Sequence, residues 1–211
     1  MNLEEEYQAR HRDVLVPSAA ELQKLLEGYL AGMPRIDRIS VRAKSLTSFL
    51  KKSQKQEAGA AVYSDPLGEI QDQIGARAIV FFTSDVEPTS QRIQRYFRHI
   101  EKATKEPESE AEFGYFGRHY ILALPKDCVP ASIPIERAPR VFELQVRTLF
   151  QHAWSEAQHD LAYKPSQILT PDQKRRFAFT AAQAWGADLI FEKLFAELAE
   201  TGQPVSLPPG K

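Results

Sequence analysis

The sequence predicts an α+β fold in which a mixed β-sheet is flanked by α-helices. Strand-like and helical segments alternate along the 211 residues without the strict strand–helix repeat of a parallel sheet. The most strand-like run is the apolar segment 75–82, and a long helix is predicted to begin at Thr170, where Pro171 occupies the first helical position. We therefore expect a single domain over residues 1–200 and a disordered tail over 201–211.

The other elements are predicted from capping residues, apolar periodicity and proline content. Helices are predicted over residues 18–30, 45–55, from 84 to about 100, and 149–162. Strands are predicted over 36–41, 115–124 and 140–148, and loops over 56–65, 101–112 and 125–139. Apolar residues recur so densely over 177–198 that the last helix is predicted to pack across the core.

Composition narrows the class of protein. The 27 Lys and Arg residues nearly balance the 28 Asp and Glu residues, which argues against a protein that coats nucleic acid. A single cysteine, Cys128, excludes an intramolecular disulfide and suits a reducing compartment. The acidic N-terminus lacks the apolar run of a signal peptide, and we expect a cytoplasmic protein with no membrane partner.

One strand combines apolar and polar side chains in strict alternation. Over residues 142–147, Glu143, Gln145 and Arg147 point to one side, because successive side chains of a strand alternate between its faces. Such a row can line a polar cleft. From the pattern alone, the solvated face of an edge strand is the commoner explanation.

Two further polar groups precede that strand. Asp72 lies before an apolar strand, where a carboxylate can hold Mg²⁺ beside a phosphate, although an ordinary turn aspartate has the same appearance. Ser48 and Lys52 share one face of a predicted helix, with Lys44 and Arg42 just before it. These residues could follow a triphosphate, or they could form a solvated basic face.

Read in order, four motifs resemble the synthetase domain of the RelA/SpoT family, and in particular its single-domain small alarmone synthetases. They are Arg42-x-Lys44-x-x-x-Ser48-x-x-x-Lys52, Asp72-x-x-Gly75-x-Arg77, Gly114-Tyr115-x-x-x-His119 and Glu143-x-Gln145-x-Arg147-Thr148. The resemblance runs from about residue 36 to about residue 198 and implies a nucleotidyltransferase-like fold. Motifs in this order and spacing are far more specific together than any one of them.

The resemblance implies that ATP binds to the first two motifs. Arg42 and Arg77 would hold the adenine between their guanidinium planes. Lys44, Ser48 and Lys52 would bind the phosphates.

The resemblance also assigns the metal and the acceptor. Asp72 and Glu143 would bind Mg²⁺, the implied cofactor, and Glu143 would take the proton from the acceptor's 3′ hydroxyl. Tyr115 would stack on the acceptor base, with His119 and Gln145 beside the acceptor. The sequence departs from the family here, since Phe116 and Gly117 replace more polar residues and Arg118 supplies a displaced charge.

The implied activity is that of a GTP/GDP pyrophosphokinase, which moves the β,γ-pyrophosphate of ATP to the 3′ hydroxyl of GDP or GTP and makes (p)ppGpp. The altered acceptor loop leaves two alternatives. One is a toxic small alarmone synthetase that makes (p)ppApp or pyrophosphorylates the 3′ end of tRNA, with an antitoxin as partner. The other is a catalytically inactive nucleotide-binding regulator. The resemblance also suggests a homo-oligomer.

Overall fold

A computed structural model of the chain describes residues 2–105, 113, 117–162 and 169–201. Its helices are α1 (Leu3–Arg10), α2 (Val16–Leu30), α3 (Leu46–Ser53), α4 (Pro66–Glu69), α5 (Thr83–Gln94), α6 (Leu149–Ala162) and α7 (Pro171–Glu200). Its strands are β1 (Ile36–Ala43), β2 (Gln56–Glu57), β3 (Ala60–Ala61), β4 (Ile74–Val80), β5 (His99–Lys105), β6 (Gly117–Ala123) and β7 (Val141–Thr148). Apart from Thr201, the predicted tail lies outside the described residues.

Five strands form one mixed sheet in the order β1-β4-β7-β6-β5. β4 and β7 run parallel in the middle of the sheet, and the other neighbouring strands pair antiparallel. The predicted α+β class with a mixed sheet is confirmed. Because β7 is the third of the five strands, the explanation of its polar residues as the solvated face of an edge strand is wrong.

The core lies on one face of this sheet. Phe142, Leu144 and Val146 of β7 are almost fully buried there beneath α5, while α2 packs on β1 and β4. Phe97, just after α5, packs edge-on against Phe142 with 5.3 Å between ring centroids. A shift of β7 by one residue would bury Glu143 in this core, so the apolar face fixes the register that presents Glu143 on the other side.

The N-terminal helix begins earlier than predicted. The reciprocal cap forms between Asn2 and Glu5, and helix then continues to Leu30 through a π-helical turn at His11–Leu15. Ser18, where this helix was predicted to begin, is buried inside α2. Pro17 lies two residues after the π turn, whose wider spacing relieves the clash between a proline ring and the carbonyl four residues earlier.

Two predicted segments in the first half of the chain are corrected. Residues 56–61 form the β2–β3 hairpin, with Ala58 and Gly59 at positive φ in its turn. Helix α5 ends at Gln94, and part of the predicted loop 101–112 is strand β5, while residues 106–112 lie outside the described ranges. Ile93 and Phe97 are buried, whereas Tyr96 and Ile100 are about half exposed.

Helix α7 does not pack across the core as predicted. Of its residues only Ala181 and Asp188 are buried. Its exposed apolar side chains are Phe179, Trp185, Leu189, Ile190, Phe191, Leu194 and Leu198. The dense apolar pattern therefore marks a helix with a large uncovered apolar surface. Within the described ranges, no helix combines the length and the apolar character needed to cross a membrane.

Candidate active site

The polar face of the sheet brings the sequence motifs into two adjacent rows. Strand pairing places Gly75 between Arg42 on β1 and Glu143 on β7. In the next row, Arg77 on β4 lies beside Gln145 on β7. A Cβ atom at Gly75 would meet no other atom within 4 Å. The missing side chain therefore leaves open space between the two polar strands.

A cavity of about 710 Å³ lies over these rows, within the size range of small-molecule sites. It is lined by Ser40, Arg42, Ala43, Lys44, Ser45, Ser48, Lys51, Lys52, Lys55, Asp72, Gly75, Ala76, Arg77, Glu143, Gln145 and His159. Eight predicted site residues are among them: Arg42, Lys44, Ser48, Lys52, Asp72, Arg77, Glu143 and Gln145. Lysines and arginines outnumber carboxylates in this lining, so the cavity favours an anionic ligand.

Asp72 is held between two lysines. It lies in the short helical turn Gln71–Gln73 that leads into β4. Its carboxylate accepts a 2.8 Å hydrogen bond from Lys44 Nζ, and Lys52 Nζ lies 3.0 Å from its other oxygen. Burial alone would raise the pKa of Asp72, but these two ammonium groups outweigh burial, and the pKa lies below its ordinary value. Asp72 is therefore ionised at neutral pH.

Glu143 is held by polar neighbours on β6 and β7. His119 Nδ1 lies 2.6 Å from Glu143 Oε1, and Gln145 Nε2 donates to Oε2 at 3.1 Å. Burial alone would raise the pKa of Glu143, but the interaction with His119 outweighs it, and the pKa lies below its ordinary value. The negative charge of Asp72 acts on Glu143 as well and tends to raise its pKa, and both carboxylates line the same cavity.

Helix α3 presents its first turn to the cavity. Ser45 caps the helix by accepting the Ser48 backbone N–H at 3.3 Å, and both residues line the cavity. Lys52 lies one turn further along on the same side. A helix N-terminus with hydroxyl and ammonium groups beside it is suited to bind phosphate.

Sequence reasoning missed several cavity residues. Lys55 follows Lys51 by four residues and extends the basic side of α3. His159 on α6 also lines the cavity, and Glu156, one turn earlier, pairs with Arg77 at 2.9 Å. The spacing of three between Glu156 and His159 places them on one helix face, but only the tertiary structure brings that face to Arg77.

The acceptor side differs from the prediction in two respects. His119 does not line the cavity itself and reaches it through Glu143, while Tyr115 and Phe116 lie outside the described residues. Arg118 points to the opposite face of β6 from His119 and forms an ion pair with Glu87 on α5. The prediction that Arg118 supplies a displaced charge to the acceptor is therefore wrong.

The two carboxylates fit a magnesium ion. The Lys44 and Lys52 ammonium groups lie against both Asp72 oxygens, so the carboxylate is ionised and placed to accept a cation. Mg²⁺ usually takes one or two carboxylates and completes its shell with water and phosphate oxygens. Asp72 and Glu143 are thus the residues that would hold it, and no group of three or more acidic, histidine or cysteine ligands occurs in the described part of the chain.

A cavity of this size and charge, at a helix N-terminus, is typical of proteins that bind nucleoside polyphosphates. The family model described as a region found in RelA/SpoT proteins matches residues 41–168. The chain belongs to this family. It is 25% identical over 170 residues to GTP pyrophosphokinase YjbM of Bacillus subtilis (strain 168), which covers 78% of this chain and 74% of that protein.

Solved structures share the fold at lower identity. A GTP pyrophosphokinase family protein from Streptococcus pneumoniae aligns with a TM-score of 0.75 at 23% identity, over 99% of this chain and 100% of that one. The small alarmone synthetase 1 from Bacillus subtilis, bound to its product pppGpp, aligns with a TM-score of 0.73 at 21% identity, over 92% and 97%. The family likeness therefore extends from the sequence motifs to the whole sheet and its helices.

Proposed function

We propose that the protein is an ATP-dependent pyrophosphokinase that transfers the β,γ-pyrophosphate of ATP to the 3′ hydroxyl of GDP or GTP, giving (p)ppGpp. The proposal rests on one observation. A single cavity joins the hydroxyl-bearing first turn of α3 and the lysines around this helix to two ionised carboxylates on neighbouring segments. Phosphoryl transfer needs both features, because the cations offset phosphate charge and the carboxylates hold metal and take a proton.

The donor half of the proposal rests on the basic side of the cavity. Lys44, Ser48 and Lys52 would bind the ATP phosphates, and the lysines now neutralise Asp72. Arg42 and Arg77 occupy adjacent rows of the sheet and would hold the adenine, with Arg77 oriented by Glu156. Lys51 on α3 and Lys55 just after it extend the positive field outward, which favours the entry of a polyanion.

The reaction forms one bond and breaks one. The acceptor's 3′ oxygen bonds to the β-phosphorus of ATP, the bond from that phosphorus to the bridging α–β oxygen breaks, and AMP leaves. Glu143 would receive the hydroxyl proton on its carboxylate, which His119 and Gln145 keep in place. Mg²⁺, when bound to Asp72 and Glu143, would neutralise charge on the phosphate oxygens.

In the acceptor half of the proposal, Tyr115 would stack on the acceptor base and His119 and Gln145 would lie beside the acceptor. Gln145 lines the cavity beside Glu143, which supports its place next to the acceptor. The retention of two ionised carboxylates favours an active enzyme over an inactive regulator, because nucleotide binding alone needs no such pair. The acceptor loop decides between guanosine, adenosine and tRNA acceptors, and an assay of products separates them.

The deciding assay incubates the purified protein with Mg²⁺ and ATP labelled in its β- and γ-phosphates. GDP, GTP, AMP, ATP and deacylated tRNA are offered separately, and the labelled products are resolved. We expect label on GDP and GTP. Label confined to adenosine nucleotides or tRNA would place the protein in the toxin branch, and the absence of transfer to every acceptor would contradict the proposal.

We also propose that α7 mediates a homo-oligomer. Seven apolar side chains of this helix are at least 44% exposed, and they extend over residues 179–198. So many exposed apolar side chains on one helix favour an interaction site. A second copy offers the same surface, so a twofold arrangement would bury both surfaces against each other.

The oligomer is tested with a single charge on this surface. Ile190 is 59% exposed near the middle of α7. We expect Ile190→Glu to lower the mass measured by light scattering towards that of the monomer, because a dimer would bury the new carboxylate. Ile190→Leu keeps the apolar surface and is expected to keep the wild-type mass. A monomeric wild-type protein, or an Ile190→Glu variant of unchanged mass, would contradict the proposal.

A further inference from the structure

The N-terminal helix reaches the phosphate side of the cavity through one tyrosine. Tyr7 on α1 is completely buried. Its ring stacks on Phe49 of α3, with 3.6 Å between ring centroids and an angle of 5° between the planes. Its hydroxyl donates a 2.7 Å hydrogen bond to the backbone carbonyl of Lys44. One side chain therefore contacts both the strand end and the helix that present the phosphate-binding groups.

The backbone of Lys44 is held on both sides. Its N–H donates to the carbonyl of Gln73 at 2.8 Å, next to Asp72, and its carbonyl accepts from Tyr7. The Lys44 side chain then bonds to Asp72. Loss of the Tyr7 hydroxyl would release one side of this arrangement and leave a carbonyl without its partner.

Phe49 connects the same tyrosine to the other phosphate-binding residues. It follows Ser48 directly and precedes Lys52 by three residues on α3. Because the Tyr7 ring lies flat against Phe49, it sets the position of α3 relative to Lys44. Catalysis by positioning depends on such distances, since small displacements of phosphate-binding groups lower the rate.

The π-helical turn places Tyr7 in this position. Tyr7, Leu15 and Leu22 are all completely buried. In a straight α-helix, Tyr7 and Leu15 would lie about 80° apart around the axis, because each residue rotates by about 100°. The wide turn at His11–Leu15 absorbs about one residue, which brings the two side chains to within about 20° of one face.

We propose that Tyr7 is a positioning residue for ATP, which holds Lys44 and α3 at the distance required to bind the donor phosphates. The inference rests on the proposed function. The family model matches residues 41–168, and Tyr7 lies well before this region. The inference therefore extends the site to the N-terminal helix α1. Tyr7 does not line the cavity and acts through Lys44 and Phe49.

The test compares Tyr7→Phe with Tyr29→Phe. Tyr7→Phe removes the hydroxyl and keeps the stack on Phe49. Tyr29→Phe makes the same change on α2, where Tyr29 stacks on Tyr96 away from the cavity. We expect Tyr7→Phe to weaken binding of a non-hydrolysable ATP analogue with Mg²⁺ about 2- to 10-fold and to raise the KM for ATP similarly. Tyr29→Phe is expected to leave both values unchanged.

Calorimetric binding separates this inference from the proposed function. If the wild type binds the analogue and Tyr7→Phe binds it equally well with an unchanged KM, Tyr7 has only a structural role and the inference is wrong, whatever the shift in Tm. A wild type that binds no analogue contradicts the proposed function and this inference together. If Tyr7→Phe does not fold, Phe49→Leu removes the stacking ring instead, and wild-type affinity in that variant would equally overturn the inference.

Discussion

Glu143→Gln is expected to lower kcat for pyrophosphate transfer by about 10²- to 10⁴-fold, the usual contribution of a general base. The amide has nearly the shape of the carboxylate but cannot take a proton at neutral pH, and it is a poorer ligand for Mg²⁺. The residues proposed to bind adenine and the phosphates lie on other segments, β1, α3 and β4. We therefore expect the affinity of the variant for an ATP analogue to remain close to that of the wild type in the absence of metal.

A matched control is available on the other side of the sheet. Glu87 is also paired with a basic residue, Arg118, but lies on α5 away from the cavity. Glu87→Gln makes the same chemical change and is expected to leave transfer unchanged. Initial rates with saturating ATP and acceptor, measured with calorimetric binding of the analogue, check both variants. Normal turnover by Glu143→Gln would show that another group takes the proton.

Much of the donor site could be predicted from the sequence because its residues follow local rules. Alternation along β7 separates Phe142 and Leu144 from Glu143 and Gln145, and the structure confirms this separation. Helical spacing likewise places Ser48 and Lys52 together. The row that joins Arg42, Gly75 and Glu143 depends on the register of three strands, which no local pattern specifies.

The parts that could not be predicted depend on long-range contacts. The helix was predicted to begin at Ser18 but begins after Asn2, because the π turn allows the helix to continue past Pro17. Arg118 lies within the acceptor motif, yet the alternation of side chains along β6 turns it towards Glu87. The apolar residues of α7 indicate burial, but periodicity does not reveal whether the covering surface belongs to the same chain.

The second large effect, on the free energy of unfolding, is expected at Asp188 of α7, of which only 5% is exposed. Its carboxylate accepts a 2.8 Å hydrogen bond from Thr148, at the end of β7. Burial raises the pKa of Asp188 from its ordinary value of 3.8 to about 6, and the hydrogen bond from Thr148 only partly offsets this, while Glu192 adds to the rise. Keeping the carboxylate ionised in the folded state thus costs about 3 kcal/mol at pH 8.

The sign of the pH dependence follows from this raised pKa. Above pH 6 the carboxylate is charged in both the folded and the unfolded state, and the full cost is present. As the pH falls through 6 towards 4, the folded state takes up the proton first, so the cost disappears and stability rises. Burial also lowers the pKa of His152. Over part of this range its protonation in the unfolded state lowers stability as the pH falls, which opposes the effect of Asp188. A comparison of two proteins that both contain His152 cancels that contribution.

Asp188→Asn is therefore expected to raise the free energy of unfolding by about 1 to 3 kcal/mol at pH 8, with part of the gain lost to the buried amide nitrogen. The difference from wild type should stay constant near pH 8 and shrink as the pH falls through 6 towards 4. Asp172→Asn, an exposed change on the same helix, should show no such trend. Urea unfolding at fixed protein concentration measures all three proteins. A difference between Asp188→Asn and wild type that stays constant with pH would mean that Asp188 is ionised at little cost, and that its contact with Thr148 stabilises the junction between β7 and α7 in the charged form.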